Sequence, residues 1–287
     1  MARKNIAVVV PTIRPETIPA FLEAWQPLFD RHDVEFILVV DGADQHIEYK
    51  GERVDLKSDL ISNFSAGSRQ LGFLFISNGL PSIEYIITLD DDEVPIGDPI
   101  QDHIDQLNRK VPISWLSTSS VYMRGFPYEV RNEAPVMLSH GVWEGVPDYD
   151  APTQLLMSKD SKPTYYQGII PKGIFFPMCG MNLAFRREAL PHIYFAQVGQ
   201  FKGAERFDDM IAGNFLVKDF AKLNWGIVSG YAKVQHLRAS NVFTSLEKEA
   251  VGIRHNEELW KDLDGYNGDP FFEDYRIKRA KWFELTK

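Results

Sequence analysis

Tyr85-Ile86-Ile87-Thr88-Leu89-Asp90-Asp91-Asp92-Glu93 is a short apolar run, rich in β-branched residues, that ends in four carboxylates. It reads as a buried strand that delivers an acidic edge to a site. Side chains alternate along an extended chain, so Asp90 and Asp92 share one face and Asp91 takes the other. Carboxylates about 6 Å apart at an effective dielectric of 20 repel by roughly 2–3 kcal/mol, so the cluster calls for a counter-ion. Hard oxygen donors suit Mg²⁺ or Mn²⁺, and a diphosphate, better than zinc. A solvated acidic turn is the alternative, and the strand before it together with Pro95-Ile96-Gly97-Asp98-Pro99 after it weigh against that.

Upstream, Asn5 to Val10 reads as a first buried strand, with Pro11, Thr12 and Arg14 in the loop at its C-terminal end. Ligands of open α/β sheets bind at such ends. Thr17 to Phe29 has helical spacing and Glu35 to Val40 is a second strand closing on Asp41-Gly42, which gives a β-α-β unit and a parallel pair. Asp41 either accepts hydrogen bonds from a uracil or ribose or simply makes a turn before glycine. Arg14 either faces a phosphate or sits in a surface ion pair. A helix from Ser65 to Ser77 carries Arg69, which reaches a phosphate or the carboxylate cluster. Asp98 to Asn108 is an amphipathic helix.

Downstream, Pro112 to Gly180 is rich in proline, glycine and aromatics and loses helical period, so it reads as long functional loops. Within it, His140 reads as a structural histidine and Trp143 as a core aromatic. Cys179 reads as a buried packing thiol, and Gly180 as a point of close backbone approach to a ligand. Arg206 to Met210 opens a helix running to Leu223, with Asp208 and Asp209 either capping it or gripping sugar hydroxyls and acting as a base. A strand from about Gly226 ends in His236, a candidate third metal ligand beside Asp90 and Asp92.

With 287 residues and 44% apolar content the chain can build one large α/β domain or a domain with an appendage. Residues 1–245 are expected to form the catalytic domain and 246–287 a C-terminal helical extension packed on it, suited to forming a homo-oligomer. The net charge of −9 argues against a nucleic-acid partner. The single cysteine excludes an internal disulfide and suits a reducing compartment. No run is long enough for a signal region or membrane span, and a cytoplasmic protein is expected. No Gly-x-Gly-x-x-Gly follows the first strand, so no flavin of the dinucleotide-fold type is expected.

Several segments in order resemble the reversibly glycosylated polypeptides, the UDP-arabinopyranose mutases (glycosyltransferase family 75). They are Val10 to Pro15, Asp90 to Asp92, Arg124-Gly125-Phe126-Pro127, Ser139 to Trp143, Pro147 to Gln154, Phe176 to Phe185, Arg206 to Met210, and His236 with Ala239-Ser240-Asn241. The resemblance implies a GT-A-like fold with a mostly parallel central sheet flanked by helices, a divalent metal, and interconversion of pyranose and furanose forms of a UDP-sugar. It also implies self-glycosylation on Arg124, with Arg131 matching the second arginine of that segment. A guanidinium is a poor nucleophile, so Asp208 or Asp209 is the expected proton acceptor. The chain departs from the plant pattern after Arg131, in the first loop and in the tail. Two other readings are a transferase to a separate acceptor and a scaffold glycosylated once without turnover.

Overall fold

The computed structural model describes residues 4–115, 121–146, 148–157, 164–197, 206–237, 241–259 and 270–287; Pro147, Ala239 and Ser240 of the segments quoted above lie outside them. In chain order, β1 (Ile6–Thr12), α1 (Ile18–Arg31) and β2 (Glu35–Val40) form the first unit, followed by β3 (His46–Tyr49) and β4 (Glu52–Val54). Next come α2 (Gln70–Gly79), β5 (Tyr85–Thr88), β6 (Glu93–Pro95), α3 (Pro99–Leu107) and β7 (Lys110–Val111). β8 (Ala134–Gly145), α4 (Ala151–Leu156), β9 (Gly168–Ile170), β10 (Leu183–Arg186), α5 (Asp208–Leu223) and β11 (Gly226–His236) complete the sheet region. The chain ends in α6 (Val242–Leu259) and α7 (Pro270–Thr286).

The strands form one sheet in the order β4-β3-β2-β1-β5-β10-β8-β11-β6, with β7 added to β8 and β9 to β11. β1 is parallel to β2 and β5, and β8 is parallel to β11. β10 runs antiparallel to both neighbours, β5 and β8. The expected α/β arrangement, a central sheet flanked by helices, is present, but the sheet is mixed rather than mostly parallel. The five strands β1, β2, β5, β8 and β11 nevertheless all point their C-terminal ends to one edge.

Alternation along β1 and β5 divides the interior in two. Val8, Val10 and Ile87 meet α1 and α3 through Phe21, Trp25, Leu28, Ile100 and Leu107. Ala7, Val9 and Ile86 face α2, α5 and α7 through Leu71, Phe73, Phe215, Leu216 and Trp282. Phe271, Phe272, Tyr275 and Trp282 of α7 are fully buried in that second core. Tyr275 donates to the Tyr194 carbonyl at 2.9 Å. The last helix is thus built into the core of the sheet domain.

The stretch read as loop contains β8, a strand inside the sheet. Its residues from Val136 to Trp143 are buried on both faces, which removes the alternation that marks a half-exposed strand. Its polar members are paired inside: Ser139 with His103, and His140 with Ser229, each at 2.9 Å. Gly141 is required because a Cβ there would lie 2.1 Å from Asn182 Nδ2.

Gly213 lets α5 lie directly on the Phe176–Met178 backbone, where a Cβ would sit 2.4 Å from Met178 Cβ and 2.6 Å from the Phe176 carbonyl. Alanine gains about 1 kcal/mol of helix propensity, whereas overpacking a rigid contact costs about 1–3 kcal/mol. Gly213→Ala is therefore expected to lose up to about 2 kcal/mol in urea unfolding. A gain would show that α5 can lift off without cost.

Candidate active site

The C-terminal edge of the five co-directed strands gathers most of the residues singled out in the sequence. β5 stops at Thr88 and the three aspartates diverge. Asp91 turns towards the end of β1, where Thr12 Oγ1 donates at 2.5 Å, Thr17 Oγ1 at 3.1 Å, and Arg14 forms an ion pair with it. Pro11 lies in β1, paired with Val39, so the strand runs one residue past the expected loop start. Asp90 Oδ1 accepts from Arg69 at 2.8 Å, and its amide donates to Glu93 Oε2 at 2.9 Å. Burial, and then the charge of Asp90, push the Glu93 carboxyl well above the ordinary range. Glu93, the last of the four carboxylates, ties off the turn. Thr17, at the start of α1, carried no signal in the sequence.

Asp92 faces His236 across the junction of β6 and β11, with Oδ1 3.7 Å from Nε2. The other ring nitrogen, Nδ1, lies 2.8 Å from the Val146 carbonyl. A carbonyl only accepts, so Nδ1 carries a hydrogen and Nε2 is the nitrogen that faces the carboxylate. Arg14 Nη2 also reaches Asp92, at 3.4 Å from Oδ2, and a histidine anchored on a backbone carbonyl is the usual way to orient a metal ligand. Among the described residues no three His, Cys, Asp or Glu side chains come close enough together to enclose an ion. Two protein donors still fit Mg²⁺ or Mn²⁺, which take one or two carboxylates and fill the remaining positions with phosphate and water. Asp90, the other expected ligand, is held by Arg69.

Arg69 is buried. Its Nε donates to the Ala66 carbonyl at 2.8 Å and its Nη1 to Thr88 Oγ1 at 2.9 Å and to the Gly180 carbonyl. Of the two readings given above, the structure shows contact with the carboxylate cluster. Gly180 admits Arg69, whose Nη1 would lie 3.2 Å from a Cβ there. Asp208 and Asp209 sit behind it at the start of α5. Asp208 accepts from the Gly67 amide at 3.0 Å and Asp209 from the Gly180 amide at 2.9 Å. Both are buried, and desolvation raises both carboxyls above their ordinary value. They tie two loops to α5. Asp41 does the same at the end of β2, accepting from the amides of Gly42 at 2.7 Å and Phe64 at 2.8 Å. His140 and Cys179 are structural as expected: the Cys179 amide donates to His140 Nε2 at 3.2 Å, and burial pushes the thiol up.

Arg124 and Arg131 are placed elsewhere. Their loop enters from β7 and leaves into the first residue of β8, at the opposite edge of the sheet. Arg131 donates to the Phe126 carbonyl at 3.2 Å and lies over the Tyr128 ring at 3.8 Å. Arg124 is exposed, and among the described residues it makes no hydrogen bond or ion pair.

Two sets of buried titratable groups oppose each other in acid. Burial lowers His103 to about 4 and His140 to about 3. Unfolded histidine binds its proton near 6.5, so their contribution is complete above about that pH and is lost as pH falls. The raised Asp208 and Asp209 work with the opposite sign: their contribution is complete below about 4 and is lost as pH rises through their elevated values. Between pH 8 and 4 the native chain is expected to change stability gently. An Asp208→Asn, Asp209→Asn double variant is expected to lose on the order of 2 kcal/mol more on acidification. Superimposable urea-unfolding profiles would contradict this assignment.

The fold and the acidic edge together define an α/β protein with a carboxylate cluster at the C-terminal edge of its central sheet. The chain belongs to the reversibly glycosylated polypeptide family, whose model matches residues 1–266. It is 33% identical to UDP-arabinopyranose mutase 3 of Arabidopsis thaliana, over 90% of this chain and 77% of that protein. It is 32% identical to the probable UDP-arabinopyranose mutase 1 of Pisum sativum, over 100% of this chain and 84% of that one. Among solved structures, the catalytic domain of Drosophila beta1,4galactosyltransferase 7 in complex with xylobiose is remotely similar. Its TM-score is 0.42 at 13% identity, with 84% of this chain and 72% of that chain covered.

Proposed function

We propose that the chain interconverts pyranose and furanose forms of a UDP-sugar, with UDP-L-arabinopyranose and UDP-L-arabinofuranose as the reference pair, by transient transfer of the sugar to Arg124. The observation that carries this is the Asp92–His236 pair, aimed at one point on the acidic edge, in a chain whose relatives are UDP-arabinopyranose mutases. Asp92 and His236 would hold Mn²⁺ or Mg²⁺, which when bound supplies charge neutralisation for a departing diphosphate.

The chain's own groups do the rest. Arg14, half-buried at the same edge, offers a phosphate contact, and its Nε has no partner among the described residues. Thr12, with Pro11 and Asp41, lines the ends of β1 and β2 where a nucleoside fits. Arg69 holds Asp90 and so sets the shape of the acidic turn. A nitrogen of Arg124 forms a bond to C1 as the C1–oxygen bond to UDP breaks. UDP leaves with the electron pair and the arginine proton passes to the departing diphosphate. Asp208 and Asp209, expected as acceptors of that proton, have oxygens engaged by backbone amides. The attached nitrogen then donates its lone pair, the ring oxygen leaves C1 and takes a proton, and the C4 hydroxyl closes a furanose as its proton is lost. A UDP oxygen displaces the arginine from C1. Substrate and product are isomers, so no flavin is needed.

We place this activity in a homo-oligomer in the cytoplasm, consistent with the finding that no helix among the described residues is long and apolar enough to cross a membrane. The test is to incubate UDP-arabinopyranose with the protein and Mn²⁺ alone and follow furanose signals by NMR. A transferase needing a separate acceptor gives no furanose, and a scaffold gives stoichiometric labelling that UDP does not reverse. Asp92→Asn is expected to lower turnover roughly 10²–10³-fold and to weaken Mn²⁺ binding by calorimetry. Unchanged Mn²⁺ affinity would remove Asp92 from the site.

A further inference from the structure

The strand directions separate the two halves of the proposed chemistry. Gly145, the last residue of β8, pairs with His236, while Pro135, near its start, pairs with Lys110 of β7. The eleven steps of β8 span roughly 35 Å at 3.3 Å per residue. The Arg124 loop is rooted at the far end of that span. Lys172 donates its amide to the Ile113 carbonyl at 3.0 Å. Ile113 and Val111 pack at Gly226, the first residue of β11. An aromatic knot then fixes the loop: Phe126 is buried between Trp115 and Tyr122, with centroids at 5.0 and 4.6 Å, and Tyr122 Oη donates to the Arg131 carbonyl at 2.9 Å. Arg124 lies between Tyr122 and Phe126, so it shares their place. The span is several times the length of an arginine side chain.

The two edges complement each other. Around Arg124 the loop exposes Val121, Met123 and Tyr128, the last 84% exposed. The acidic edge exposes Ile13 beside Arg14 and Phe64 beside Asp41, at 61% and 68%. One surface presents Arg124 among apolar side chains; the other sets three aspartates against Arg14 and Arg69 beside apolar side chains.

We propose that the sugar is loaded between copies: Arg124 of one chain enters the acidic site of a second copy, so that each site is complete only in the oligomer. This rests on the reading of Arg124 as the sugar carrier. The bond changes are those given above: nitrogen to C1 forms, C1 to the UDP oxygen breaks, and the arginine proton goes to the departing diphosphate. Only the origin of the arginine differs. In a two-fold dimer the arrangement loads both arginines at once.

The test uses two full-length variants co-expressed with different tags, one with Asp92→Asn and the other with Arg124→Lys. Each is incubated with radiolabelled UDP-sugar and Mn²⁺, alone and as the mixed oligomer. Neither variant alone is expected to take label. In the mixture, label is expected on Arg124 of the Asp92→Asn chain, at about a quarter of native incorporation, since half of randomly paired dimers are mixed and each has one productive direction. His236→Gln in place of Asp92→Asn should give the same pattern and guards against a folding defect. A native protein labelled at Arg124 alongside an unlabelled mixture would overturn loading between copies and leave Arg124 as a carrier within one chain. Native protein unlabelled at Arg124 would overturn the carrier reading itself.

Discussion

Arg124→Lys protein is expected to fold and to bind UDP as the native chain does, and to produce furanose at least roughly a thousandfold more slowly, the scale of losing a covalent nucleophile. The side chain is exposed and makes no hydrogen bond or ion pair among the described residues, so its replacement leaves the fold intact. Lysine keeps the positive charge near a diphosphate while removing the guanidine nitrogen that attacks C1 and whose lone pair opens the ring. The measurement is furanose formation by NMR, with UDP affinity measured in parallel. Native turnover would end the covalent role. Weakened UDP binding in proportion to the lost turnover would make Arg124 a binding residue.

The second large effect concerns stability. Arg69→Met is expected to lower the unfolding free energy by about 3–5 kcal/mol, because it strips a counter-charge from a buried cluster. Arg69 holds Asp90 at 2.8 Å and bonds to Thr88 and the Gly180 carbonyl. The charges of both Asp90 and Asp209 act on its guanidinium. Methionine fills similar space but leaves those carboxylates without a cation. A further Asp90→Asn change in the Arg69→Met background is expected to recover part of the loss, since the pair is coupled. Urea unfolding of the native protein, the Arg69→Met and Asp90→Asn single variants and the double variant checks this. An Arg69→Met loss below about 1 kcal/mol would mean that water reaches the cluster and screens it.

Much of the acidic edge was legible in the sequence. A β-branched run ending in carboxylates reads locally, because burial and alternation are properties of neighbouring residues. The first two strands, the helix between them and the aspartates at the head of α5 were legible for the same reason. β8 was not, since a strand covered on both faces shows no alternation, and Pro135, His140 and Gly141 disguise an apolar run. The roles of Asp208, Asp209 and Asp41 were also hidden. A carboxylate that accepts backbone amides from a distant loop looks, in sequence, like one waiting for a ligand.

By itself the sequence determined that strands end in acids, that Arg14, Arg69 and His236 are available to them, and that the segments stand in the order of one family. Only the tertiary structure decided that β10 runs backwards through the sheet, that Arg69 belongs to Asp90, and that Arg124 stands at the edge away from the carboxylates. Periodicity and composition act over a few residues, whereas strand direction and buried charge pairing are set by partners far apart along the chain.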